Sequence, residues 1–236
     1  VSDSVGFVSS TWVVGAVPGP ARVRAYVFRG GAIKDSVDFT TEIIPGVVTS
    51  LQVDSSTVPA ASLPVRSVVN QLRFTVRDAV GLPVKDAVVT FSVAGGGSPL
   101  VSQGVDTTNS AGVVAVNWTL GEQVGTQSIT ASVNGRTVTI TVDAVPGTVR
   151  RLSTQVQTEN IVVRQGRTPA FLFEVRTADQ FNNVTPGDTV VWTVIAGGGT
   201  VDPPRGLSSA SGLATAVWTA GTVPGPFRVR AYLQRG

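Results

Sequence analysis

The sequence contains no cysteine, no histidine and no methionine in 236 residues. Without Cys there are no disulfides, thiolate zinc sites or thiol nucleophiles. Without His there is no Ser-His-Asp triad, no imidazole metal ligand and no switch near neutral pH. Aromatics make up 6% and charged residues only 14%, well below the roughly 25% of an average soluble domain. Lysine is nearly absent too: Lys34 and Lys85 are the only two among 18 basic residues. The net charge of +3 is a weak field over this length, and no run of like charges marks a nucleic-acid surface. No apolar run approaches the roughly 18 residues of a membrane-spanning helix. The first residues, Val-Ser-Asp-Ser-Val, have neither the basic nor the apolar part of a signal peptide. Together these absences argue against catalysis and against any cofactor or metal site. The 42% hydrophobic content is enough to build cores.

What is present repeats. Gly15-Ala-Val-Pro-Gly-Pro-Ala-Arg-Val-Arg-Ala-Tyr26 aligns without a gap on Gly221-Thr-Val-Pro-Gly-Pro-Phe-Arg-Val-Arg-Ala-Tyr232, an offset of 206 residues. Half of positions 1–30 are identical to 207–236 at that offset. A weaker copy lies between: Gly112-Val-Val-Ala-Val-Asn-Trp118-Thr-Leu-Gly121 against Gly212-Leu-Ala-Thr-Ala-Val-Trp218-Thr-Ala-Gly221. Ile44-Pro45-Gly46 recurs as Val145-Pro146-Gly147, and Ala94-Gly95-Gly96-Gly97 as Ala196-Gly197-Gly198-Gly199. Repeats of this size predict a tandem array. The expected units are 1–46, the C-terminal part of one domain; 47–146, a complete domain; and 147–236, a domain lacking the strand equivalent to 32–44. The outer two resemble each other more than the middle one, so two unit types alternate with a superrepeat of about 206 residues. The redundancy of 1–30 favours a segment of a longer continuous chain over strand exchange between subunits.

Each unit reads as all-β. Val114, Val116, Trp118 and Leu120 alternate with Val113, Ala115, Asn117 and Thr119, a period of two with Trp118 inward. Ile129, Ala131 and Val133 alternate with Ser128, Thr130 and Ser132. Asn134-Gly135 then signals a two-residue hairpin turn, and β-branched residues return to Val142. Short strands at this density predict tandem immunoglobulin-like β-sandwiches, here without a disulfide.

The order Asp78-Ala-Val-Gly-Leu-Pro-Val-Lys-Asp-Ala-Val-Val-Thr-Phe91, Ala-Gly-Gly-Gly, Asn109-Ser-Ala-Gly112 and Trp118-Thr-Leu-Gly121 resembles the group 1 bacterial Ig-like domains of the invasin/intimin type. The last unit repeats it with Asp188-Thr-Val-Val-Trp192, Ala196-Gly-Gly-Gly, Ser211-Gly212 and Trp218-Thr-Ala-Gly221. The resemblance implies tandem domains on bacterial surfaces, in adhesin stalks, fibres or phage appendages. It implies no catalytic residues.

Trp12, Trp118 and Trp218 are expected as core anchors between sheets. The Gly triplets are expected as tight turns with positive φ rather than phosphate cradles, which would need a following helix. Asp143 and Glu42 stand singly near unit boundaries, too few for a calcium-stiffened junction. Asn117-Trp-Thr and Asn183-Val-Thr match a glycosylation sequon. Arg22, Arg24 and Tyr26 share one strand face, and Arg228, Arg230 and Tyr232 repeat it, whereas the middle unit has Ser128, Thr130 and Ser132. This stripe is the candidate contact surface, for an acidic polysaccharide, a surface receptor or a neighbouring repeat. The expected role is an extracellular stalk or fibre segment; the alternative is a carbohydrate- or receptor-binding module.

Overall fold

The computed structural model describes residues 2–15, 17–99, 104–154 and 170–234. Every strand-forming stretch of the first 46 residues lies in one hairpin. It pairs β1 (Gly19–Arg29) with β2 (Ala32–Ile43) in antiparallel register, Arg24 opposite Asp38. The segment 7–15, which carries Trp12, has no strand.

Residues 47–146 build two facing sheets. The strands are β3 (Val48–Val53), β4 (Leu63–Pro64), β5 (Val68–Asp78), β6 (Val88–Ala94), β7 (Ser98–Pro99), β8 (Val105–Thr107), β9 (Val113–Thr119), β10 (Gly125–Val133) and β11 (Arg136–Val145). One sheet has the order β3-β5-β9-β7, the other β4-β11-β10-β6-β8. All pairings are antiparallel except β4 with β11, where Leu63 lies beside Ala144. Alternation decides which side chains meet between the sheets. β9 buries Val114, Val116 and Trp118 while Ala115 and Asn117 stay half-exposed. Phe74, Leu72, Val89 and Ile129 belong to the same buried core as Trp118, which has no exposed surface. Burying one such side chain stabilises a core by roughly 1.5–3 kcal/mol. Asn134 and Gly135, with φ of +47° and +73°, make the β10–β11 turn.

Among the described residues of 147–236 the strands are β12 (Arg151–Thr154), β13 (Ala170–Ala178), β14 (Thr189–Ala196), β15 (Gly199–Asp202), β16 (Arg205–Leu207), β17 (Leu213–Ala220) and β18 (Arg228–Leu233). They form sheets β12-β13-β17-β15 and β16-β14-β18. Trp192 and Trp218 sit in this core, 5% and 3% exposed, with Phe173 stacked on both. The fold is therefore an all-β, immunoglobulin-like sandwich without disulfides.

The glycine triplets turn as their composition predicts. Gly95, Gly96 and Gly97 have φ near +86°, and Gly197, Gly198 and Gly199 match them. The last glycine of each triplet has a second constraint. A Cβ on Gly97 would strike the Thr119 carbonyl, and one on Gly199 the Thr219 carbonyl.

Candidate contact surface and interdomain joints

The three tryptophans differ in exposure. Trp118 and Trp218 are enclosed, but Trp12 is 36% exposed. The hairpin beside it is a single two-stranded layer, and no facing sheet lies over the indole among the described residues.

On β18, alternation places Val229, Ala231 and Leu233 against the core and leaves Arg228, Arg230 and Tyr232 outside. The pairing with β14 sets Tyr232 beside Val191 and Arg230 beside Thr193. β16 adds Arg205 on the far side of Val191, in the row of Tyr232. Arg205 extends the stripe to a second strand. Sequence reading missed it because the row exists only once the register of β16 on β14 is known. Among the described residues none of these three arginines has an ion-pair partner.

The copy on β1 is different. Arg24 makes a two-pronged bond to Asp38, with Nη2 donating to Oδ2 at 2.8 Å, and Arg22 Nη1 lies 3.5 Å from the same carboxylate. The hydrogen bond from Arg24 holds the Asp38 carboxyl below its ordinary range and raises the Arg24 guanidinium in turn. One carboxylate thus answers two arginines, so this copy presents less free positive charge than its β18 counterpart.

The joints carry chemistry that no motif announced. The amide of Gly46, in the first Pro-Gly joint, donates to Asp78 Oδ2 at 2.9 Å. The amide of Gly147, in the second, donates to Asp179 Oδ2 at 3.0 Å. Asp78 is the last residue of β5 and Asp179 follows the last residue of β13, and each caps the loop after it. Asp78 Oδ1 accepts from the amides of Val80 and Leu82. Asp179 Oδ1 accepts from Phe181 and Asn183. Both loops share one backbone course, with positive φ at Gly81 and at Asn182. Both carboxylates are buried, and both titrate below the ordinary range. For Asp78 the bond from the Gly46 amide is the main cause. For Asp179 burial pushes the other way, and the donors from Asn183, Gly147 and Phe181 outweigh it. Buried carboxylates accepting several N–H groups behave this way because the bonds favour the ionised form.

Asp143, at the boundary, accepts from the Thr126 hydroxyl at 2.7 Å. Among the described residues no three acidic side chains come together as a metal cluster. No helix is long and apolar enough to cross a membrane.

The two sequons land in different settings. Asn117 is half-exposed, and its Oδ1 accepts from the Gln71 amide at 2.7 Å, holding a bulge in β5. Asn183 is 6% exposed, and its Nδ2 donates to Glu122 O at 2.7 Å and to Asp179 Oδ2 at 2.9 Å. That nitrogen is occupied and enclosed, which leaves no room for a glycan.

No protein-family model and no curated protein matches the chain. Solved structures do. The Escherichia coli adhesin FdeC is 15% identical over 91% of this chain and 69% of its own, with a TM-score of 0.51. Yersinia pseudotuberculosis InvD is 18% identical over 93% and 65%, at 0.46. The D0-D1 domain of intimin is 16% identical over 79% and 91%, at 0.32. At these identities the likeness is one of fold, and the chain shares the immunoglobulin-like sandwich fold of the Escherichia coli adhesin.

Proposed function

We propose that the chain is a structural segment of an extracellular bacterial fibre or adhesin stalk, divided at its Pro-Gly joints into units 1–46, 47–146 and 147–236. The superrepeat is about 206 residues. The reading is non-enzymatic, and its partners are further copies of the repeat. The observation that carries it is the repeated clasp, in which a buried aspartate of the following unit holds the glycine of the joint. A flexible Gly/Ser linker would leave that amide to water. A clasped two-residue joint limits the directions in which one sandwich can swing against the next. The shared fold with an adhesin supports the same role.

Small-angle scattering of the chain tests this. With strands of roughly 8–11 residues at about 3.3 Å each, a sandwich spans on the order of 35 Å. The expected profile is that of an elongated particle whose length grows by one such step per unit. A compact, near-spherical profile would overturn the stalk reading.

A second reading rests on the unpaired arginines of the last unit. Arg205, Arg228, Arg230 and Tyr232 form an outward cationic and aromatic row suited to an acidic polysaccharide or an acidic patch of a surface receptor. Binding of the chain to a polyuronate should fall with added salt and vanish in Arg228→Glu with Arg230→Glu. Binding unchanged by both substitutions would exclude the row.

A further inference from the structure

Among the described residues the two joints share a clasp but not a latch. The loops after Asp78 and Asp179 superpose residue for residue in their hydrogen bonds. Asp78 donates its amide to Leu82 O, and Asp179 to Asn183 O. Gly81 and Asn182 donate back to the respective aspartate carbonyls. Five of the six positions differ between 78–83 and 179–184, and two of them matter at the joint. Val80 stands where Phe181 does, and Leu82 where Asn183 does.

Those positions face the neighbouring unit. Phe181 packs half-buried against the core of the middle unit. The Asn183 side chain spans the joint, its Nδ2 reaching the Glu122 carbonyl in the β9–β10 turn. The same nitrogen is bound to the clasping Asp179, so clasp and latch form one network. At the first joint the Leu82 side chain has no donor to offer across it. Val80 remains 72% exposed, in an open apolar cleft lined by Val14, Ile43 and Ile44.

We infer that the Phe181–Asn183 face of the last unit is a docking surface built for the β9–β10 end of the middle unit, so that the second joint is locked while the first is only clasped. In an array that alternates the two unit types, stiff and compliant joints then alternate. This goes beyond the stalk reading: it concerns what each joint permits, and it holds whatever the array carries.

The absence of native cysteine allows clean labelling. Spin labels at Thr139→Cys with Arg176→Cys report the second joint, and at Thr40→Cys with Thr139→Cys the first. Pulsed electron resonance on the full chain should give a narrow distance distribution across the second joint and a broad one across the first. Asn183→Leu, which copies the residue of the sister loop, should broaden the second to resemble the first. Retained tryptophan fluorescence of Trp192 and Trp218 would show that the last sandwich is still folded. Equal widths in the native sequence would overturn the inference, as would an unchanged second joint in folded Asn183→Leu. An elongated scattering profile together with equal widths would leave the stalk intact and remove only the latch.

Discussion

Asp179 gathers the amide of Gly147, the amides of Phe181 and Asn183 and the Asn183 side chain around one carboxylate. Replacing it with Asn would turn donors against donors in a buried site. The expected loss is about 1–3 kcal/mol, read by denaturant unfolding of the last segment. Acid should act on the same bonds. Both joint aspartates titrate below their ordinary range in the folded chain, so their contribution is present above the unfolded value of about 3.9 and is lost as pH falls through the lower folded value. Hydrogen exchange should show the Gly46 and Gly147 amides protected at mildly acidic pH, with protection disappearing only in stronger acid. Protection that faded as pH rose instead would contradict the assignment.

Among the elements, the glycine turns make the sharpest prediction. Gly97→Ala meets both an unfavourable φ of +86° and the carbonyl of Thr119, whereas Gly135→Ala meets only φ. The strain of a left-handed alanine alone costs roughly 1–2 kcal/mol. Thermal unfolding should therefore drop more for Gly97→Ala than for Gly135→Ala. The strands themselves were legible in the sequence, since a period of two in β9 and β10 names the inward residues directly. The Asn-Gly turn was legible for the same kind of reason, because few dipeptides tolerate two positive φ values. Pairings between distant segments were not legible. The β5 bulge held by Asn117, the parallel β4–β11 contact and the Arg205 row all depend on register between strands far apart in sequence. The joint aspartates escaped notice because each looks like an ordinary turn residue until the glycine 32 positions earlier is folded against it.

At the scale of the whole molecule, the joint glycines are held to carboxylates through the chain's own N–H groups. Tandem domains stiffened by calcium place several carboxylates around the ion. Here the joint carboxylates are already filled by amide donors. Adding calcium or a chelator should leave the melting temperature and the scattering profile unchanged, and a calcium-dependent rise in either would refute this account. The parallel contact of β4 with β11 has a consequence under load. β4 lies near the entry of the middle unit and β11 at its exit, and Val65 donates its amide to the Val145 carbonyl at 2.9 Å. A pull on the two ends of the unit draws these neighbouring strands past each other in opposite directions. Their bonds are then strained together in shear rather than opened one at a time. Resistance to tension in the middle sandwich thus concentrates in a patch of a few backbone bonds beside its exit, next to the joint that Asp179 clasps.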